Sequence, residues 1–360
     1  MNGKEIIDSL LKNKKAPRMG LYDSPWGETL GAWVKEGYPE ENGKPENPAD
    51  HFFFDMECAG GWFDWAPKQG VHELLQETDE WVVTRNGAGA AFKNWKHKAG
   101  TPEHIDFHMS TREIWESDYR EHVKPCESRI GAGNKDALIA VRKKNIWAYY
   151  GGLGLWEYMR SSMGDLVMFE ALAADQEWVL DFNKVYTDFY KGMYGLLFEK
   201  AGLPDGIWVC DDLGYKNGLY CSPAALEKLF APFYKEIVDF FKSFGLPVVF
   251  HCCGGIEEAV PILIDCGFDA INPLERKAGC DPLRLAKKYG DRLAFIGGMD
   301  AVTLESGDRA RMFREADALI DGMKDLGAAY IFASDHSLSP LVRYSDFMAV
   351  VERFWSKATY

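Results

Sequence analysis

The sequence predicts an α/β protein, a (β/α)8 TIM-like barrel with an N-terminal extension and an inserted hairpin. Three observations carry that expectation. From about residue 136 onward, six short β-rich runs alternate with longer amphipathic ones, a further β-rich run lies near the N-terminus, and acids, histidines and cysteines gather where the runs end. Such alternation makes parallel strands crossed over by helices. An open doubly wound sheet uses the same alternation. The barrel is favoured because barrel chemistry is assembled at the C-terminal ends of several strands at once.

In chain order, "PRMGLYDSPW" supplies a first barrel strand, and the polar stretch "EGYPEENGKPENPADHF", rich in Pro, Gly and Asn, is expected to be a surface loop. "EWVVTRNGAGAAFKNWKHK" places Asn-Gly between two β-like arms, which predicts a hairpin inserted into the barrel. Residues 1–135 are therefore an N-terminal region with the first barrel element or elements, a loop and the hairpin. Residues 136–360 are the main run of βα units of the same domain. The six strands there are expected in "NIWAYYG", "GIWVCDD", "LPVVFHC", "FDAINPL", "LAFIGGM" and "AYIFASD". Between the second and third lies a helical run from Pro223 in which Leu226, Leu229, Phe230, Phe233, Ile237, Phe240 and Phe241 share a face of period 3.6. Ser222 is its expected N-cap, Pro223 its first residue and Gly245 its stop.

The 360 residues are 47% hydrophobic and 14% aromatic, enough for a large core. A formal charge of -14 and a pI near 5.1 argue against a surface that tracks phosphates. No apolar run reaches the ~20 residues of a membrane span, and the N-terminus has no signal-peptide core, so a cytoplasmic location is expected. Eight scattered cysteines fit a reducing compartment, as core fillers with a minority used for metal or catalysis.

The expected strand ends give Asp211 and Asp212, then His251, Cys252 and Cys253, then Glu275, Asp300, Asp335 and His336. On an extended chain His251 and Cys253 point to one side, which lets them share an ion, while Cys252 points into the wall. His336 is a candidate third ligand, with a carboxylate or solvent completing a tetrahedron. Nitrogen and thiolate donors favour Zn²⁺, and an open position makes such a site catalytic. Alternatively, His251 only hydrogen-bonds its neighbours and both cysteines fill the core. Asp212, Glu275 and Asp300 are the candidate catalytic acids, although Asp300 also suits a helix N-cap, as does Asp211. Asp211, Trp26 and Tyr150 are the candidate substrate contacts. The glycines of "AGGW" and "YYGGLG" lack the spacing of a phosphate-binding loop.

In order and spacing, "DDLG", "VVFHCCGG", "GFDAINPLE", "RLAFIGGMDA" and "SDHSLSP" resemble the uroporphyrinogen decarboxylase superfamily, which includes zinc-dependent methyltransferases that serve corrinoid proteins. The resemblance implies a distorted TIM barrel and a homodimer. The decarboxylases are similar in needing an Arg-rich loop of the form R-Q-A-G-R to hold a polycarboxylate, but here the corresponding "APRMGLYDSPW" carries only Arg18. The methyltransferases use H-x-C and a later cysteine on zinc. This chain keeps His251 and Cys253 and has His336 where the later cysteine is expected, an exchange that retains zinc binding and makes a bound thiolate less nucleophilic. The resemblance therefore implies an enzyme that moves a methyl group from a small methoxy or methylamine substrate to a corrinoid carried by a partner protein. No D-x-H-x-x-G corrinoid motif occurs in the chain. The alternatives are a metal-independent decarboxylase of a small aromatic or heterocyclic acid, and a non-catalytic binding barrel.

Overall fold

Eight parallel strands form one nearly closed sheet in the computed structural model, which describes residues 1–12, 14–98 and 102–360. They are β1 (Gly20–Leu21), β2 (Met56–Cys58), β3 (Trp147–Leu153), β4 (Gly206–Cys210), β5 (Val248–His251), β6 (Ala270–Asn272), β7 (Ala294–Ile296) and β8 (Tyr330–Phe332). From β2 to β8 each strand pairs in parallel with the next, and β8 pairs with β1. All six strands expected after residue 136 are present, five of them within the expected segments and β3 shifted to end two residues later, at Leu153, and "PRMGLYDSPW" supplies β1. The second N-terminal strand, β2, is three residues long and gives no alternation in the sequence.

The gap between β1 and β2 is closed by Asp55. Its backbone N–H donates to the Leu21 carbonyl at 2.8 Å, and its carboxylate accepts the Leu21 N–H at 2.9 Å. Arg18 clamps the same carboxylate with two bonds of 2.7 Å and lies over the Trp355 ring. Arg18 thus stands ahead of β1, at the N-terminal end of the barrel, and contributes nothing to its mouth.

Inside and outside follow strand parity. Trp147, Tyr149, Trp208, Val249, Ala270, Ala294, Ile296 and Ile331 share the interior cluster, whereas Ala148, Tyr150, Val248, Phe250 and Ile271 pack outward with the helices. The N-terminal end is plugged by the helix Gly3–Leu11, which brings Ile6, Ile7, Leu10 and Leu11 into the interior cluster. Its start is fixed by a capping box between Asn2 and Glu5.

The predicted hairpin is the central pair of a four-stranded antiparallel sheet, His72–Glu77, Trp81–Asn86, Ala90–Trp95 and Glu103–Phe107. Its first strand is exposed along its whole length, so no buried face marks it in the sequence. Phe107 packs where the helix Leu155–Ala174 breaks at Gly164. A Cβ there would stand 2.5 Å from the Phe107 ring, and the backbone has φ +74°, two reasons for glycine. The run predicted as one helix from Pro223 is two, Pro223–Leu229 and Ala231–Ser243. Pro232 breaks it, because proline withholds the N–H that a continuous helix needs. Ser222 caps the first as expected, its side chain accepting from Ala225 N at 3.2 Å, and Gly245 follows the second at φ +74°. Among the described residues no helix is long and apolar enough to cross a membrane.

Candidate metal centre and adjoining cavity

His251 ends β5 on the interior side set by Val249. Its Nδ1 lies 2.5 Å from Asn272 Oδ1 at the end of β6, and Asn272 Nδ2 donates to the Ile296 carbonyl of β7 at 3.2 Å. The second bond fixes the amide, so its oxygen faces the imidazole and Nδ1 carries the proton. Nε2 is left with its lone pair.

Cys253, two residues on, places Sγ 3.6 Å from His251 Nε2. Asp212, two residues beyond β4, accepts the Cys253 N–H through Oδ1 at 2.8 Å. One ligand atom from each of Asp212, His251 and Cys253 lies within 4.8 Å of the other two. Zinc–nitrogen and zinc–sulfur bonds at a tetrahedral angle span about 3.5 Å between donors, which the His251–Cys253 separation meets. The donor set of imidazole, thiol and carboxylate also suits zinc and leaves a fourth position. Burial, followed by the charges of Asp212 and Glu275, pushes the Cys253 thiol well above its ordinary range. A divalent cation is what draws a proton from such a thiol. Cys252 faces the wall, fully buried, its sulfur accepting from Leu213 N at 3.1 Å.

The other sequence candidates divide between bracing and lining. Glu275 accepts from Gly254 N at 2.5 Å and pairs with Lys277 at 3.2 Å, holding the Cys-Cys-Gly-Gly turn. His336 lines the cavity but is outside the three-residue group. Its Nδ1 lies 3.2 Å from the Ser337 carbonyl oxygen, and its ring meets Trp26 edge-on at the rim. The structure gives three candidates other tasks. Asp300 caps the helix Ala301–Glu305, accepting from Val302 N at 3.1 Å and Thr303 Oγ1 at 2.8 Å. Asp211 is buried, accepts from Glu157 N at 2.7 Å, Trp156 N at 3.2 Å and Tyr234 Oη at 2.5 Å, and so caps the helix Leu155–Ala174 instead of meeting a substrate. Tyr150 is on the outward parity of β3 and donates to the Gly202 carbonyl at 3.2 Å; Tyr149 is the one facing in.

Above the plug, a cavity of about 340 Å³ adjoins His251. Tyr22 and Asp23 beyond β1, Trp62 beyond β2, Tyr149 of β3 and Trp208 and Cys210 of β4 line it, and among the described residues no lysine or arginine does. The sequence motifs missed Tyr22, Asp23, Tyr149, Trp208 and Cys210, whereas Trp62 is among the tryptophans that the sequence offers as core residues or as walls of an aromatic cavity. Applying the strand-end rule to β1 finds Tyr22 and Asp23, and parity within β3 and β4 finds Tyr149 and Trp208.

Two expectations follow. Asn272→Leu removes the hydrogen bond that orients His251, and zinc affinity measured by chelator competition is expected to fall roughly ten- to hundredfold; unchanged affinity would refute the orienting role. Burial pushes Asp23 and Asp335 up to about 6 and Asp211 to about 8, from an ordinary 3.8. Each holds its proton more tightly folded than unfolded, so its stabilisation is complete below about pH 4 and is lost as pH rises through those values. Tm is expected to be higher near pH 5 than near pH 8. A rise over that interval would contradict it.

Residues 201–355 match the family model described as Uroporphyrinogen decarboxylase (URO-D). That span contains β4 to β8 and all three grouped candidates. No curated protein matches the chain by sequence. Among solved structures, a methyltransferase from Methanosarcina mazei is similar over 99% of this chain and 99% of its own, with a TM-score of 0.70 at 15% identity. An L-ribulose 3-epimerase reaches a TM-score of 0.38 at 12% identity, over 64% of this chain and 79% of its own. The first is a whole-chain likeness of fold. The resemblance to the uroporphyrinogen decarboxylase superfamily is thus present in the family match over residues 201–355.

Proposed function

We propose that the protein is a zinc-dependent methyltransferase that takes a methyl group from a small methoxy or methylamine substrate to a corrinoid held by a partner protein. The observation that carries this reading is the grouping of Asp212, His251 and Cys253 beside a closed-bottomed cavity, with a 3.6 Å donor separation that suits zinc. Zinc bound by those three would supply Lewis acidity toward the departing heteroatom, through a lone pair that a methoxy oxygen already has and that an ammonium nitrogen regains as its bond to the methyl group breaks. Asn272 keeps His251 Nε2 available, the Cys253 N–H orients Asp212, and Glu275 braces the turn that carries Cys253. The aromatic walls exclude water from the departing group.

Porphyrinogen decarboxylation fits the same cavity poorly. A polycarboxylate needs converging cations, and the lining offers none while Arg18 is engaged with Asp55 at the far end. The same lack weighs against decarboxylation of a small acid. The test is the spectral change of cob(I)alamin on mixing zinc-loaded protein with methoxy and methylamine donors, run beside an assay of CO₂ release. Methyl transfer supports the reading, and CO₂ release without transfer overturns it.

A further inference from the structure

The cavity is aromatic and carries one carboxylate, Asp23, in its lining. Tyr22 meets Tyr149 at 78° and Trp208 at 52°, with centroids 6.3 and 5.3 Å away, while Tyr149 and Trp208 stack on each other at 5.1 Å. The rings therefore form a corner, with Trp62 further toward the mouth. The two phenol oxygens are 2.8 Å apart, so the polar ends of Tyr22 and Tyr149 satisfy each other.

Asp23 stands at the same wall, 8% exposed. Its carboxylate accepts from Ser24 N at 2.8 Å, Ser334 N at 3.0 Å and Ser334 Oγ at 2.7 Å, and makes no ion pair among the described residues. Three neutral donors steady the charge without cancelling it. With burial holding its pKa up to about 6, the group is still ionised at neutral pH. The loop beyond β1 thus presents an anion to the cavity.

We propose that the cavity recognises a methylated ammonium cation, with Asp23 as its counter-ion and the Tyr22, Tyr149, Trp208 and Trp62 rings receiving its N-methyl groups. Aromatic faces attract such cations, most strongly where water is excluded. A methoxy compound would gain the ring contacts and leave Asp23 unpaired, and an anion would meet Asp23 directly. This inference rests on the reading of the cavity as the substrate chamber and narrows the two donor classes to the amines.

The test is titration calorimetry on the purified protein with tetramethylammonium, neopentyl alcohol and pivalate, which share a similar shape and differ in charge. Tetramethylammonium is expected to bind roughly tenfold tighter than the alcohol, with pivalate weakest. Asp23→Asn and Trp62→Leu are each expected to weaken the cation severalfold more than the alcohol. Trp62, half exposed, can be changed without touching the Asp23 network. Equal affinity for cation and alcohol, or cation binding unmoved in both variants, overturns the inference. No corrinoid or methyl transfer enters this measurement. Cation binding without transfer would therefore sink the reaction and keep the recognition, and transfer from a methoxy donor without cation binding would do the reverse.

Discussion

Cys253→Ala is expected to yield a folded protein that no longer retains zinc. The wild-type chain, purified without chelators, is expected to carry about one zinc, because a nitrogen, a sulfur and a carboxylate in this arrangement satisfy three of four positions. Loss of the thiolate removes the softest donor and leaves His251 and Asp212, too few for retention through purification. Cys252→Ala is the informative companion, since that sulfur faces the wall and accepts from Leu213 N. It is expected to keep the metal and lose some stability. Elemental analysis of the three proteins decides the matter: zinc surviving in Cys253→Ala would end the assignment of this site.

The second large effect is at the opposite end of the barrel. Asp55→Ala is expected to cost about 3–5 kcal/mol, because it strands Arg18 and the Leu21 N–H where Asp55 now receives both. Asp55 is 3% exposed, so water offers little replacement. That loss is a large fraction of the ~5–15 kcal/mol available to a folded domain. Asp55→Asn retains an acceptor for Leu21 and is expected to lose less. The urea midpoint reads both, and equal stability of Asp55→Ala and wild type would show that the β1–β2 closure does not depend on this side chain.

The sequence carries the barrel because β3 to β8 are apolar runs separated by helices of clear period. It hides β2, too short to alternate, and the outer strands of the inserted sheet, which are exposed apart from Phe107. The candidate ligands His251 and Cys253 are legible because both sit in one strand end at the spacing that puts two side chains on one side. Asp212 is legible as an acid at a strand end, whereas its bond to the Cys253 N–H is a tertiary fact. Asp211 and Asp300 show the limit of the strand-end rule: a carboxylate there serves a helix N-terminus as readily as a reaction. Tyr150 shows the limit of naming a strand without its phase, since one residue moves a side chain from chamber to helix layer. Asn272 lies within "GFDAINPLE", but the sequence does not show that its amide spans from β5 to β7.

The plug and the β1–β8 pairing join the two ends of the chain. Ile6 and Ile7 share a cluster with Ile331, and Gly20 stands beside Ile331 in the sheet. Contacts separated by more than 300 positions close late during synthesis, so the interior around the first helix, part of which β1 to β3 can supply early, is complete only when the eighth strand has emerged. During translation the apolar face of Gly3–Leu11 therefore stays incompletely covered until the last strand arrives, a window in which a chaperone or a premature association competes with the native partner.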